Sequence, residues 1–181
     1  MEPELSRNIA VFGIYTTAFE AERAVDHLLA AGFAHSDVSV LLPDDEATRT
    51  FAHEKHTKAP EGTATGATAG GLVGGTLGLL AGIGALAIPG IGPLIAAGPL
   101  VSALAGLGLG GTLGGLVGAL VGRGIPEYEA KRYEGRVRDG GILLSVHCDT
   151  EPEMDAAKDA LNATGAQDIA ATEETPTPEP A

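Results

Sequence analysis

The apolar positions of the chain fall into three regimes. Residues 8–15, NIAVFGIY, form an unbroken apolar run rich in β-formers and predict a buried strand. Thr16-Thr17 then stand before a helical stripe over roughly 18–31. Phe19, Ala21, Ala24, Val25, Leu28 and Leu29 share that stripe, while Glu20, Glu22, Arg23 and Asp26 lie largely elsewhere. Gly32 closes it in the position where a helix usually stops. Residues 38–42, ahead of Pro43, predict the next strand. The same grammar returns near the C-terminus. Residues 141–149, GILLSVHCD, predict a strand, and Thr150 caps a helix with Pro152 in its first turn.

The two stretches are related by spacing. Ala24, Leu28 and Gly32 stand 7, 11 and 15 residues after Thr17, and Ala157, Leu161 and Gly165 stand 7, 11 and 15 after Thr150. A strand follows each, led by Asp37-Val38 and by Asp168-Ile169. This is an internal repeat of strand–helix–strand. Two such units predict an α+β fold: a ferredoxin-like, split β-α-β sandwich of four antiparallel strands with helices on one face. Neither half buries its sheet alone, so the halves must meet. An additional helix is expected at about 127–138, a weaker one at 44–57, and a disordered acidic, proline-rich tail at 172–181. The domain therefore reads as 1–60 and 126–171, interrupted by an insert at 61–125.

The insert follows a third pattern. Gly66, Gly70, Gly74, Gly78 and Gly82 are four apart, as are Gly106, Gly110, Gly114, Gly118 and Gly122. That spacing lays each ladder along one face of a helix. Arms drawn as 66–88 and 100–122 would each be roughly 34 Å long, enough to cross a hydrocarbon core of about 30 Å. Pro89-Gly90-Ile91-Gly92-Pro93 breaks the pattern between them, and predicts a tight turn with a short interfacial or re-entrant segment. Each interior glycine costs about 1 kcal/mol of helix stability in water. In a bilayer helix is obligatory, and bare glycine faces let two backbones approach closely. The expectation is a glycine zipper: a helical hairpin that packs on itself and on other copies, either within a lipid bilayer or in a soluble assembly. Its large aliphatics are few and there is no aromatic belt, so the apolar span wants a partner.

Charge sharpens the partition. The chain of 181 residues carries 24 acidic and 11 basic side chains, a net charge of −13. None of them, and no histidine, lies between Glu61 and Arg123. Such acidity argues against nucleic acid as a partner. The N-terminal MEPELSRNIAVFG carries acids and lacks the basic start of a secretory leader, so none is expected. The basic residues gather beside the insert: His53, Lys55, His56 and Lys58 before it, then Arg123, Lys131, Arg132, Arg136 and Arg138 after it. If the hairpin spans a membrane, that bias places both flanks, and the domain they build, on the cytoplasmic side of an inner membrane. Two crossings suit a domain whose halves must rejoin.

Catalytic chemistry is not indicated. His53 and His56 lack a third metal ligand at a fixed spacing. His147 and Cys148 are adjacent in a strand and so point to opposite faces. The single cysteine precludes an intramolecular disulfide framework. The glycine runs lack the Lys-Ser/Thr of a phosphate loop. No cofactor, metal or small-molecule substrate is expected.

VFGIYTTAFEAERAVDHLLAAGF, the uncharged glycine-rich insert, and PEYEAKRYEGRVRDGGILLSVHC together resemble bacterial general stress proteins of the heat-induced type. The resemblance covers most of residues 8–170 and implies a small α/β domain with a glycine-zipper insert, and a stress association without an activity. A more distant similarity is to the small two-helix subunit of a bacterial quinol-oxidising respiratory complex, whose hairpin is richer in aromatics. Three functions follow as expectations: a non-enzymatic membrane protein that self-associates through its hairpins, a soluble self-assembling protein that forms a shell, tube or filament, or an accessory subunit of a membrane complex.

Overall fold

The computed structural model describes residues 8–43, 84–88, 92–97 and 115–174. The elements are β1 (Ile9–Tyr15), α1 (Ala18–Ala30), β2 (Val38–Pro43), β3 (Gly84–Ile88), β4 (Gly92–Ala97), α2 (Gly115–Gly122), α3 (Glu127–Arg138), β5 (Ile142–Cys148), α4 (Glu151–Thr164) and β6 (Gln167–Glu173). The fold is α+β. Strands β2, β5, β1 and β6 lie side by side in that order, every neighbouring pair antiparallel.

The repeat read from the spacing is present in space. Thr17 and Thr150 both accept a hydrogen bond from the amide three residues on, and Glu20 and Glu153 return the bond as capping boxes. Ala24, Leu28, Ala157 and Leu161 are fully buried at equivalent helical positions. A glycine with positive φ follows both helices, Gly32 at 104° just after the Ala31 cap of α1 and Gly165 at 91° as the cap of α4, a conformation that costs a residue with a Cβ. α1 and α4 pack on one face of the sheet, against Ile9, Val11, Tyr15, Val40, Leu144 and Val146.

The second face is covered as well, which corrects the expectation of helices on one face only. α2 and α3 lie on it and bury Ala10, Phe12, Ile14, Leu41 and Leu143 beneath Leu116, Leu120, Ala130, Tyr133 and Val137. This explains why β1 and β5 read as continuous apolar runs: a strand wet on one side would alternate. α3 reaches its face through a turn at Gly140-Gly141, where the Gly141 amide donates to the Arg136 carbonyl at 2.8 Å.

Two described parts of the insert differ from the reading of its sequence. Residues 84–88, expected at the end of a helical arm, are the extended strand β3. Residues 92–97, expected in the connector, are β4. β4 pairs with β2, from Val40 opposite Ala97 to Pro43 opposite Leu94, and β3 pairs with β4, so the sheet grows to six strands in the order β3-β4-β2-β5-β1-β6. The physical cause is the edge of β2. It offers unpaired backbone groups, whereas a Gly-Ala-Leu-Ile run has little intrinsic preference to oppose them.

β6 runs to Glu173, and Glu174 stays attached through its amide to the Asn8 carbonyl at 2.6 Å. Residues 172–174, expected to begin the tail, are thus part of the domain. The expected helix at 44–57, with His53 and His56, lies outside the described residues.

Candidate functional site

The glycine ladders are the site the sequence singles out. Of the ten rungs, Gly118 and Gly122 fall within the described residues, both on α2; Gly66, Gly70, Gly74, Gly78, Gly82, Gly106, Gly110 and Gly114 lie outside them. α2 is helical, as expected, but its neighbour is the sheet. Leu116, Val117, Ala119 and Leu120 are buried, Gly118 is half-buried and Gly122 is exposed. The interior Gly118 costs this helix about 1 kcal/mol. Burying Leu116 or Leu120 stabilises it by about 2 kcal/mol each, so a glycine-bearing segment is helical here by packing on a strand layer. α3 holds α2 in place from the side. A Glu134 carboxylate oxygen accepts from the Val117 amide at 3.3 Å, in the first turn of α2, where a negative charge is favoured. Among the described residues no helix is long and apolar enough to cross a membrane.

The basic residues that follow the insert have partners within the domain. Lys131 pairs with Glu127 at 2.6 Å, Arg138 with Glu134 at 2.8 Å, and Arg123 with Glu174 at 2.9 Å. Arg132 and Arg136 both hold the Asp168 carboxylate, at 3.2 and 3.0 Å. Asp168 has φ 51°, a left-handed conformation that Asp tolerates better than most residues. Its carbonyl accepts from the Tyr133 hydroxyl at 2.7 Å. Arg132 and Arg136 therefore join α3 to the start of β6, a role the sequence does not announce because Asp168 lies more than thirty residues away.

His147 and Cys148 point to opposite faces, as their adjacency predicts. Cys148 is buried in the α1/α4 layer, and burial pushes its thiol up to about 12, well above a reactive range. His147 lies between two carboxylates, Glu174 at 2.6 Å from Nδ1 and Asp149 at 3.4 Å from Nε2. Glu174 in turn binds Arg123, so that Asp149, His147, Glu174 and Arg123 form a chain of contacts from β5 to the end of α2. The β6 side chain of Thr172 donates to the Gly124 carbonyl at 3.0 Å in the same region.

An open groove of about 260 Å³ lies nearby, lined by Phe33, Asp37, His147, Asp149, Pro152 and Glu153. Its acids are engaged in local structure. Asp37 accepts from the Ala34 amide at 2.8 Å, and Glu153 accepts from the amides of Asp149 and Thr150. Among the described residues no cluster of three His, Cys, Asp or Glu side chains is arranged to hold a metal.

Comparison of the chain with protein-family models, with curated proteins and with solved structures finds no match.

Proposed function

We propose that the protein is a non-enzymatic, self-associating protein of the general-stress type, whose uncharged glycine-rich chain is the contact between copies. The observation that carries the reading is the placement of charge. A chain of net charge −13 has no charged side chain between Glu61 and Arg123, and that stretch is where copies approach with least repulsion.

The topology favours a soluble assembly over a spanning hairpin. The uncharged stretch supplies two strands, β3 and β4, to the sheet and a helix, α2, to its cover. A single crossing between Pro43 and Gly84, or between Ala97 and Gly115, would deliver the chain to the far side of a bilayer from the sheet it rejoins. A membrane-bound protein with its α/β domain in the cytoplasm is the second reading, supported by the length of the uncharged run and the basic residues beside it. The resemblance to heat-induced general stress proteins supports the stress association in both. We read the four-strand portion as a ferredoxin-like unit, and the order β2-β5-β1-β6 with its two β-α-β halves supports that.

The deciding experiment is native mass measurement of the full chain with and without detergent, alongside carbonate extraction of cell membranes. Detergent-free particles of two or more copies are expected. Recovery only in the carbonate-resistant pellet would select the membrane reading, and a monomer at every concentration would remove self-association.

A further inference from the structure

The sheet has two edges of different chemistry. One is β6, which carries Asp168 and Glu173. Asp168 has φ 51°, the β1–β6 register shifts beside it, and its carboxylate is held by Arg132 and Arg136 from α3. Charge, irregular backbone and covering side chains are the devices that stop an edge strand from pairing outward. The other edge is β3, GALAI, which has neither charge nor proline. All five of its residues are in register with β4, so the strand is regular along its length. No strand among the described residues pairs with its outer side.

Resting on the self-association proposed above, we infer that β3 is the contact between copies: two chains add their β3 strands antiparallel about a twofold axis at Leu86. Strand addition supplies main-chain hydrogen bonds, and a twofold contact needs a surface that complements itself. An antiparallel pair centred on Leu86 meets that need. It sets Gly84 against Ile88, Ala85 against Ala87 and Leu86 against its own copy, and it engages all five residues. No like charges are brought together, although the chain as a whole carries −13. Sequence-wise the charges nearest to β3 are Glu61 and Arg123, both more than twenty residues away. The occupant is therefore a second copy of this chain.

The register makes the test specific. Single cysteine variants of the full chain are oxidised gently, with the native chain and its buried Cys148 as control. Leu86→Cys alone forms a disulfide-linked dimer. Ala85→Cys alone and Ala87→Cys alone do not, and an equal mixture of those two does, because each faces the other. A second pair of variants covers the case in which cysteine disturbs the strand. Ala85→Glu with Ala87→Glu, and Ala85→Lys with Ala87→Lys, each set like charges across the axis and weaken association about tenfold, while mixing the two restores it. Native-mass oligomers that persist unchanged in both charged variants, with no cross-link at residue 86, overturn the β3 contact and leave self-association standing through another surface. A native chain that is monomeric throughout removes both.

Discussion

The hydroxyl oxygens of Tyr15 and Thr164 lie 2.7 Å apart inside the core, joining residues separated by 149 positions in the sequence. Tyr15 ends β1 and Thr164 ends α4, so this bond ties the first half of the repeat to the last. Burial pushes the Tyr15 hydroxyl up to about 12 from its ordinary value near 10.

A pH dependence follows from that shift. As pH rises, the unfolded chain loses this proton near 10, while the folded chain keeps it until about 12. The folded state then binds more protons, so stability is full below pH ~10 and falls between there and about 12. Burial moves Tyr133 upward too, so Tyr15→Phe removes part of the slope and not all of it. Denaturant midpoints from roughly pH 9 to 12 check this; an equal slope in Tyr15→Phe would refute the assignment. At neutral pH the same variant costs only about 1 kcal/mol, because Thr164 keeps its 2.8 Å bond to the Ala160 carbonyl.

Three glycines should respond to alanine with different signs. At Gly13 a Cβ would stand 2.8 Å from the Leu161 side chain and 3.0 Å from Ala166, a clash worth about 1–3 kcal/mol. At Gly141 it would meet the Arg136 carbonyl oxygen at 2.7 Å, and a backbone atom yields less readily than a side chain, so this variant is the most damaging. Gly135, inside α3, has nothing within 4 Å, and Gly135→Ala should stabilise by roughly 0.5–1 kcal/mol. Thermal midpoints of the three variants rank them.

Glu174 lies between Arg123 and His147, at 2.9 and 2.6 Å, with its side chain 8% exposed. Glu174→Ala strands Arg123, whose Nε already lacks a partner. The expected loss is about 2–4 kcal/mol, and Arg123→Met with Glu174→Leu together should recover much of it. A double-mutant cycle measured by urea unfolding would show little coupling if the pair were incidental.

Cys148 should behave as a core side chain. At 1% exposure and with its thiol pushed up to about 12, it reacts with an aromatic disulfide reagent only when the domain opens. Labelling in native buffer should therefore track unfolding as urea is added. Fast labelling without denaturant would contradict the placement of this strand.

The repeat was legible because its marks are local. A threonine three residues before a glutamate, a stripe of Ala and Leu, and a glycine stop act within a few turns of chain, and Thr17–Gly32 and Thr150–Gly165 fold as their spacing says. Both unbroken strands also held a clue to the second helical layer, since residues facing α2 and α3 are as apolar as those facing α1 and α4. Asp168, Glu174 and Tyr133 gave no such sign, because each works through a partner distant in sequence.

The insert marks the boundary between local and global control. Composition alone made it uncharged, weakly helical and in need of a partner. Whether a given piece became helix or strand was settled by what it met: residues 92–97 met the open backbone edge of β2 and extended, while Leu116 and Leu120 met an apolar sheet face and stayed helical. Glycine- and alanine-rich chain has so little conformational preference of its own that its neighbours choose for it.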